Sequence, residues 1–389
     1  MHKQSSYETP YLLIDLDKIR QQCRLLRQLM EYADIYYAVK ANPARRIVQT
    51  AFEEHCGLEI SSETELQQAI ELGVPPNRII SSNPVKKPSF ISALHDYGVD
   101  RLAFDSKVEV DKIKHCAPKS RLYLRLRIDN AGSDWPLSGK FGVDGSEAIS
   151  LLSYAAAQGL TPYGLTFHVG SQCLNIENWE KALLLCSRII EQVADRLPLE
   201  MVNLGGGLPI QHTKPIPQLA DIVSVIAHAR NELFGNHVTF LIEPGRFLVG
   251  EAATLATTVV GKAQRGSENW LYLDAGVFNG LMETVERFSY DFEFDVDESR
   301  EKKVFTIAGP TCDSLDTMFV GRLIPDLEVG DKLYVKHAGA YTNAYASHFN
   351  GFAPPTVLYT DCLFHTEVTS GNSGSGSPST RAKRLPLEC

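Results

Sequence analysis

Eight short apolar runs, each followed by a helical pattern, occupy the first 245 residues and constrain the fold more than any other feature. β-branched and aromatic residues mark the runs as strands. Strand–helix alternation indicates a parallel sheet, and eight units predict a closed (β/α)8 TIM-like barrel. An open doubly wound sheet is the alternative, because one false strand would break the count. The predicted strands are 35–39, 57–60, 78–81, 101–104, 122–128, 163–169, 200–204 and 239–243.

The pattern changes near residue 248, where apolar runs are separated by turn signals with little helix between them. This predicts a second, all-β domain, a Greek-key-like sandwich or barrel. A further strand within 7–19 precedes the barrel count, so we expect it to pair with the β domain. The predicted domains are a barrel over 23–247, a β domain made of 1–22 and 248–365, and a disordered Gly/Ser-rich tail over 366–389.

Charge and composition exclude several classes of protein. The 389 residues carry a formal net charge of −9, which argues against nucleic acid as a partner because phosphate binding needs a basic face. No apolar run reaches the about 18 residues of a membrane span, and none near the start resembles a signal peptide. The eight cysteines include no Cys-x-x-Cys pair. We therefore expect reduced thiols, no metal site and a cytoplasmic protein.

Polar residues stand at the carboxyl ends of the predicted barrel strands, where barrels of this type place their chemistry. Each has a plainer interpretation, such as a solvated lysine or a tight glycine turn. Their joint placement on one rim favours a functional site. These residues are Lys40, Glu59, Arg125, His168, Ser171, Gly205, Gly206, Gly207, Glu243, Gly245 and Arg246.

The residue types on this rim match one cofactor. A lysine ending a buried strand is expected to lose hydration, which lowers its pKa and suits it to bond with a carbonyl. Consecutive glycines let backbone N–H groups converge on an anion, and an arginine adds charge-assisted donors for phosphate. A carboxylate can hold a pyridine nitrogen protonated, and a histidine can stack on a ring. Together these features predict pyridoxal 5′-phosphate (PLP).

Seven motifs carry a family resemblance that extends over nearly the whole chain except the tail. The sequence resembles the fold type III, alanine-racemase-like PLP-dependent basic amino acid decarboxylases, and most closely the short bacterial ornithine decarboxylases. The motifs are YYAVKANP, WPLSGKFG, FHVGSQ, MVNLGGGLP, IEPGRFLVG, GPTCDSLD and GAYTNAYASHFNGF.

The resemblance implies a role for each rim residue. Lys40 corresponds to the lysine that binds PLP covalently, His168 to the residue stacked on the ring, and Glu243 to the partner of the pyridine nitrogen. Glu59 and Arg125 correspond to a supporting pair near the cofactor. The implied phosphate ligands are Ser171, Gly205, Gly206, Gly207, Gly245, Arg246 and, from the β domain, Tyr341.

The motif GPTCDSLD is similar to a segment that relatives contribute from the partner subunit, which implies a homodimer with shared active sites. Cys312 then resembles the acid that protonates the substrate Cα, and Asp313 the carboxylate that receives the distal ammonium. Phe349 is implied to contact the substrate, and Lys140 with Asp316 to bridge subunits. Without the resemblance, Cys312 would be interpreted as a small buried apolar residue.

The resemblance implies decarboxylation of L-ornithine to putrescine and CO2, in polyamine biosynthesis. Asp274 and Val277 depart from the patterns of eukaryotic and bacterial relatives, which leaves the length of the substrate open. A lysine or dual lysine/ornithine decarboxylase is the main alternative. Asp313 disfavours meso-diaminopimelate, and the presence of Lys40 and Cys312 disfavours a catalytically silent regulatory homologue.

Overall fold

The computed structural model describes residues 7–137, 139–297 and 299–361. The predicted tail, 366–389, lies outside the described residues. Contacts divide the chain into two units, one formed by Met1–Lys18 with Ala252–Cys389 and the other by Ile19–Glu251. The sequence analysis places the corresponding boundaries after residues 22 and 247. Across the described ranges, no helix is both long enough and apolar enough to cross a membrane.

The described residues form eighteen strands and nine α-helices. The strands are β1 (Tyr11–Ile14), β2 (Ala33–Ala38), β3 (Gly57–Glu59), β4 (Ile79–Ile80), β5 (Arg101–Phe104), β6 (Arg121–Arg125), β7 (Ser133–Trp135), β8 (Thr161–Thr166), β9 (Ser171–Cys173), β10 (Met201–Asn203), β11 (Thr239–Ile242), β12 (Ala253–Arg265), β13 (Glu268–Leu273), β14 (Phe292–Phe294), β15 (Lys302–Ala308), β16 (Thr317–Pro325), β17 (Lys332–Val335) and β18 (Thr356–Tyr359). The helices are α1 (Leu16–Leu29), α2 (Arg45–Glu53), α3 (Glu63–Glu71), α4 (Pro88–Tyr97), α5 (Lys107–Cys116), α6 (Gly145–Ala157), α7 (Glu177–Val193), α8 (Leu219–Leu233) and α9 (Arg246–Val249).

Eight parallel strands form a closed barrel in the order β4-β3-β2-β11-β10-β8-β6-β5. A bridge between Ser81 and Leu102 joins the two ends of this order. Ser81 N–H donates to Arg101 O at 3.2 Å, and Ala103 N–H donates to Ser81 O at 2.9 Å. The predicted closed barrel is therefore confirmed, because an open sheet would leave β4 and β5 as unpaired edges.

Side chains from the strands fill the interior of the barrel. One buried cluster consists of Tyr36, Ile80, Ala103, Tyr123, Met201 and Leu241, each at most 4% exposed. Burial of a large apolar side chain contributes about 1.5–3 kcal/mol, so this cluster is a substantial part of the driving force for closing the ring. At Gly164 a Cβ would lie 2.4 Å from Met201 O, so β8 and β10 approach too closely there for any other residue.

Three of the helices have end signals that can be recognised in the sequence. The Ser62 hydroxyl accepts a hydrogen bond from Glu65 N–H at 3.3 Å and caps α3. Ser106 caps α5 in the same way through Glu109 N–H. Helix α4 begins at Pro88 and ends before Gly98, whose φ of 94° is the left-handed conformation that glycine tolerates best. These caps define the ends of α3, α4 and α5.

The other unit is built on one eight-stranded mixed sheet, with the path β14-β17-β12-β13-β15-β16. Strand β1 joins this sheet, antiparallel to β12 and parallel to β18, which confirms the expected pairing of the N-terminal strand. The sequence analysis missed β14, β16 and the small ribbon of β7 with β9. Strand β16 contains Gly321 at φ 70° and exposes Val320, so it lacks the regular alternation of a half-buried strand.

A buried cluster of charged residues holds the segment after β4 against β5 and α5. The side chains of Lys86 and Glu109 are 0% and 1% exposed, with Nζ and Oε1 3.0 Å apart. Lys112 Nζ lies 2.5 Å from the other oxygen of Glu109. Lys86 Nζ also donates to Ala103 O at 2.6 Å and Asn83 O at 2.9 Å. Burial lowers the pKa of Lys86 to about 8 from 10.5, against the attraction of Glu109.

Replacing Glu109 with Gln tests this group, since the change removes one charge and almost no volume. We expect the free energy of unfolding to fall by about 3–5 kcal/mol, because a buried ammonium loses its counter-charge. In the wild type, the unfolded chain binds the Lys86 proton more tightly than the folded chain. The Lys86 contribution to stability therefore rises as the pH increases from about 8 to 10.5.

Urea unfolding followed by circular dichroism measures both effects. The matched control is Glu177→Gln, which breaks an exposed pair with Lys181 on α7. This control should leave the midpoint nearly unchanged, because exposed pairs contribute little. Equal shifts of the unfolding midpoint in the two variants would show that the buried pair contributes no more to stability than the exposed pair.

Candidate active site

Lys40 follows β2 in a single 3-10 turn, Val39–Ala41. Its Nζ donates to Glu59 Oε2 at 2.5 Å. The Lys40 side chain is 46% exposed, whereas that of Glu59 is 1% exposed. The expectation that burial would remove water from the Lys40 ammonium is therefore wrong. An accessible amine held in place by a buried carboxylate is positioned to react with a carbonyl group.

Glu243 is 3% exposed and follows β11 directly. Its Oε1 accepts hydrogen bonds from Ser82 Oγ and from Asn203 Nδ2. Ser82 Oγ also lies 2.7 Å from the hydroxyl of Tyr123, and Asn203 Oδ1 accepts from Gly205 N–H at 2.9 Å. These bonds fix the Glu243 carboxyl group in one orientation.

The second oxygen of Glu243 is available to a ligand. Within the described part of the chain, the hydrogen bonds to this side chain end on Oε1. Burial raises the pKa of Glu243, the charge of Glu59 raises it further, and Lys40 opposes both. A carboxyl group in this state can share a proton with a basic nitrogen.

Ser82 and Asn203 were missed by the sequence analysis. Asn203 stands in the apolar run MVNL, and a polar residue inside a buried strand was the one available signal. Ser82 gave no signal, because it reaches Glu243 from 161 positions away in the sequence.

His168 lies two residues beyond β8, and its Nδ1 accepts a hydrogen bond from Gly170 N–H at 3.0 Å. Desolvation lowers the pKa of His168 well below its usual value, and the charges of Arg125 and Lys40 add to this effect. The ring is therefore neutral and carries its proton on Nε2. Arg125 ends β6 at 9% exposure, and desolvation lowers its pKa while Glu243 opposes the shift.

The turn after β10 requires glycine. Gly205 has φ 64°, and a Cβ there would lie 2.2 Å from Phe167 O. At Gly206 a Cβ would lie 2.8 Å from Glu243 O and 3.2 Å from His168 Nε2. Among the described residues, no backbone acceptor binds the N–H of Gly206 or Gly207. The turn therefore offers two adjacent donors to an anion.

Arg246 opens α9 immediately after Gly245 and is 4% exposed. Its Nε and Nη2 lie 3.4 and 3.3 Å from Ser171 Oγ. A guanidinium and a hydroxyl group held together suit a phosphate group. With the glycine turn, the free oxygen of Glu243 and the accessible Lys40, the barrel residues fit the phosphate, the pyridine nitrogen and the carbonyl group of PLP.

In the β unit, a hydrogen bond joins the segment of Cys312 to the segment of Phe349. Cys312 and Asp313 are exposed in the turn between β15 and β16, so Cys312 is not the buried apolar residue of the plainer interpretation. Cys312 N–H donates to Asn350 Oδ1 at 3.2 Å. The neighbouring Phe349 packs on Phe278, with ring centroids 4.5 Å apart. Tyr341 has a positive φ of 58°.

Two carboxylates of this unit are engaged within their own chain. Asp316 is 2% exposed, and its oxygens accept from Val277 N–H at 2.7 Å and from Thr311 N–H at 3.0 Å. Asp316 thus holds its own turn, and its implied pair with Lys140 of another subunit stays a prediction. Asp274 accepts from Thr258 N–H at 2.9 Å and from a threonine hydroxyl near the N-terminus.

Gly205→Ala tests the requirement for glycine at the turn. The added Cβ would clash with Phe167 O, so we expect a loss of about 2–5 kcal/mol from overpacking and φ strain together. The control is Gly159→Ala, where φ is 82° and no atom lies within 4 Å of the added Cβ. That variant should lose only the strain, about 1–2 kcal/mol. Thermal unfolding measures both, and equal losses would rule out a packing constraint at Gly205.

The barrel matches a known protein family, and nearly the whole chain is similar to a known enzyme. Residues 16–250 match the family model for the pyridoxal-dependent decarboxylase, pyridoxal binding domain. The chain is 33% identical over 356 residues to the lysine/ornithine decarboxylase of Selenomonas ruminantium, covering 91% of this chain and 90% of that protein.

Two crystal structures share the fold. One is SrLDC in complex with PLP and cadaverine, with a TM-score of 0.85, 31% identity and coverage of 94% of each chain. The other is the arginine decarboxylase of Paramecium bursaria Chlorella virus, with a TM-score of 0.85, 28% identity and coverage of 91% of this chain and 96% of that chain.

Proposed function

The chain belongs to the pyridoxal-dependent decarboxylases that act on basic amino acids, and we propose that within this family it converts L-ornithine to putrescine and CO2. Its cofactor is PLP. The observation that carries the proposal is the continuous set of contacts from Lys40 through Glu59 and Ser82 to Glu243. It links a reactive amine to a protonatable acid, and the backbone N–H of that acid donates to Gly205 O at 2.8 Å.

The contacts in the barrel support a distinct role for each of its functional residues. PLP supplies a carbonyl group that bonds to amines and a ring that accepts the electrons released when CO2 leaves. Lys40 provides the amine that holds the cofactor, and Glu59 fixes its position. Glu243 keeps a proton at the ring nitrogen through Oε2. Ser171 and Arg246, with the N–H groups of the glycine turn, bind the phosphate.

Proton transfer and substrate choice are assigned to the β unit. The Cys312 thiol donates a proton to the substrate Cα after CO2 has left. Asp313 pairs with the distal ammonium of the substrate. An amino acid with a neutral side chain would leave that carboxylate without a partner, which disfavours it.

Charge separates ornithine from one alternative substrate, whereas chain length separates it only weakly from another. A distal carboxylate, as in meso-diaminopimelate, would be repelled by Asp313. Lysine carries the same ammonium on a chain one methylene longer, a difference of only about 1–3 kcal/mol in a pocket. Dual activity is therefore the second candidate, favoured by similarity to a protein named lysine/ornithine decarboxylase.

We further propose a homodimer in which each active site takes the Cys312 turn from the partner subunit. Exposure of this turn supports the arrangement, since Leu315 is 52% exposed beside Cys312 and Asp313. An apolar side chain displayed next to two reactive groups suits a protein interface.

Asp313→Asn tests the choice of substrate. Loss of the charge should lower kcat/KM for ornithine about 10- to 100-fold, the range of a charge-assisted hydrogen bond, and leave the visible absorbance of bound PLP unchanged. The control is Asp297→Asn, which alters another exposed aspartate of the same unit and should have no effect.

The assay follows CO2 release from ornithine, lysine, arginine and diaminopimelate in parallel. Ornithine should give the highest kcat/KM in the wild type. A higher value for another substrate, or full ornithine activity in Asp313→Asn, would contradict the assignment.

Mixing two inactive variants tests the shared site. Lys40→Ala should lose both turnover and the visible absorbance of bound PLP, whereas Cys312→Ala should lose turnover and keep the absorbance. After subunit exchange, half of the dimers are mixed and each has one intact site, so about a quarter of wild-type activity should return. No recovery, after exchange is verified by native mass spectrometry, would place Cys312 in the site of its own chain.

A further inference from the structure

The amino end of the barrel, opposite the glycine turn, contains a cavity of about 380 Å³. Residues at or just before the starts of β2, β3, β4 and β5 line it, together with residues from the end of α1. The charged side chains and the histidine in its lining are Arg27, Glu31, Asp34, His55, Arg78 and Arg101. No step of the proposed reaction uses these residues.

Arg101 is the most deeply buried of these groups, at 7% exposure. Its guanidinium carbon lies 5.2 Å from the centroid of the Tyr36 ring, and its Nη2 donates to Asn77 O at 2.5 Å. Its Nε is buried and has no hydrogen-bond acceptor, and neither has the buried Nη2 of Arg27. Buried donors without an acceptor are rare in folded proteins, because each costs the hydration that it has lost.

The charges around these donors favour an anion. Three arginines line the cavity, and among the described residues none of them lies within 4 Å of a carboxylate oxygen. The two lining acids, Glu31 and Asp34, are exposed. The chain as a whole is acidic, at −9. Guanidinium groups are weakly hydrated and present planar forks that match the oxygens of phosphate and carboxylate.

We propose that this amino-end cavity, defined by Arg27, Arg78 and Arg101, binds a small multivalent oxyanion of the phosphate type. The site is distinct from the donors assigned to the cofactor phosphate, which stand at the opposite ends of the strands. The cavity volume falls within the about 300–1,000 Å³ of small-molecule sites. The anion is therefore either free phosphate or the phosphate group of a small monoester, and both present the same oxygens.

Calorimetric titration of the PLP-loaded enzyme tests the site at constant ionic strength, with inorganic phosphate and glycerol 3-phosphate as separate probes. We expect one saturable site per chain, with the visible absorbance of PLP unchanged throughout. Tighter binding of the ester would identify a small-molecule site, and equal or tighter binding of phosphate would identify a free-ion site. Either result supports the proposal.

The variants Arg27→Gln and Arg78→Gln change half-buried residues, so folding should be preserved, and circular dichroism checks this. Each should weaken binding about tenfold, the effect of one charge-assisted hydrogen bond. The matched control Arg188→Gln removes an exposed arginine on α7 and should bind as the wild type does. Absence of saturable binding to either probe, or wild-type affinity in both cavity variants, would overturn the proposal without bearing on the decarboxylase activity.

Discussion

The hydrogen bonds between Ser81 and β5 close the barrel, and the arrangement of the candidate active site depends on that closure. Ser81 contributes both its N–H and its carbonyl oxygen to the last junction of the ring. The next residue, Ser82, then contacts Glu243 from a strand three places away around the ring. The buried Lys86 and Glu109 fasten the same segment to β5. An open sheet would have left Glu243 without this partner.

Burial of two carboxylates near one another sets the electrostatics of the carboxyl end. Glu59 and Glu243 are both less than 5% exposed, and the charge of Glu59 raises the pKa of Glu243 beyond the effect of burial. Lys40 offsets this repulsion from the solvent side, and neutral donors from Ser82 and Asn203 orient Glu243 without adding charge. Lys40 is therefore accessible to solvent and yet held in position by Glu59. At the same turn, burial gives the Glu243 carboxyl group a raised pKa.

The two ends of the barrel present hydrogen-bond donors of different kinds. At the carboxyl end, glycines expose backbone N–H groups because a Cβ at Gly205 or Gly206 would collide with backbone oxygens. At the amino end, arginine side chains supply the donors, and Tyr36 supports one of them through its ring face. Backbone N–H groups are thus the distinctive donors at one end of the barrel, and side chains are those at the other.

The sequence by itself determined the parallel barrel, the all-β unit and the strand ends at which polar residues gather. These features depend on local periodicity, which can be read directly from the amino-acid sequence. It did not reveal β16, which exposes Val320 and Leu323 between buried apolar residues, or Ser82, whose partner is distant along the chain. It also predicted a dehydrated Lys40, whereas the structure leaves this side chain 46% exposed. Only the tertiary structure decided those points, because solvent exposure and contacts between distant segments exist only after the ring has closed.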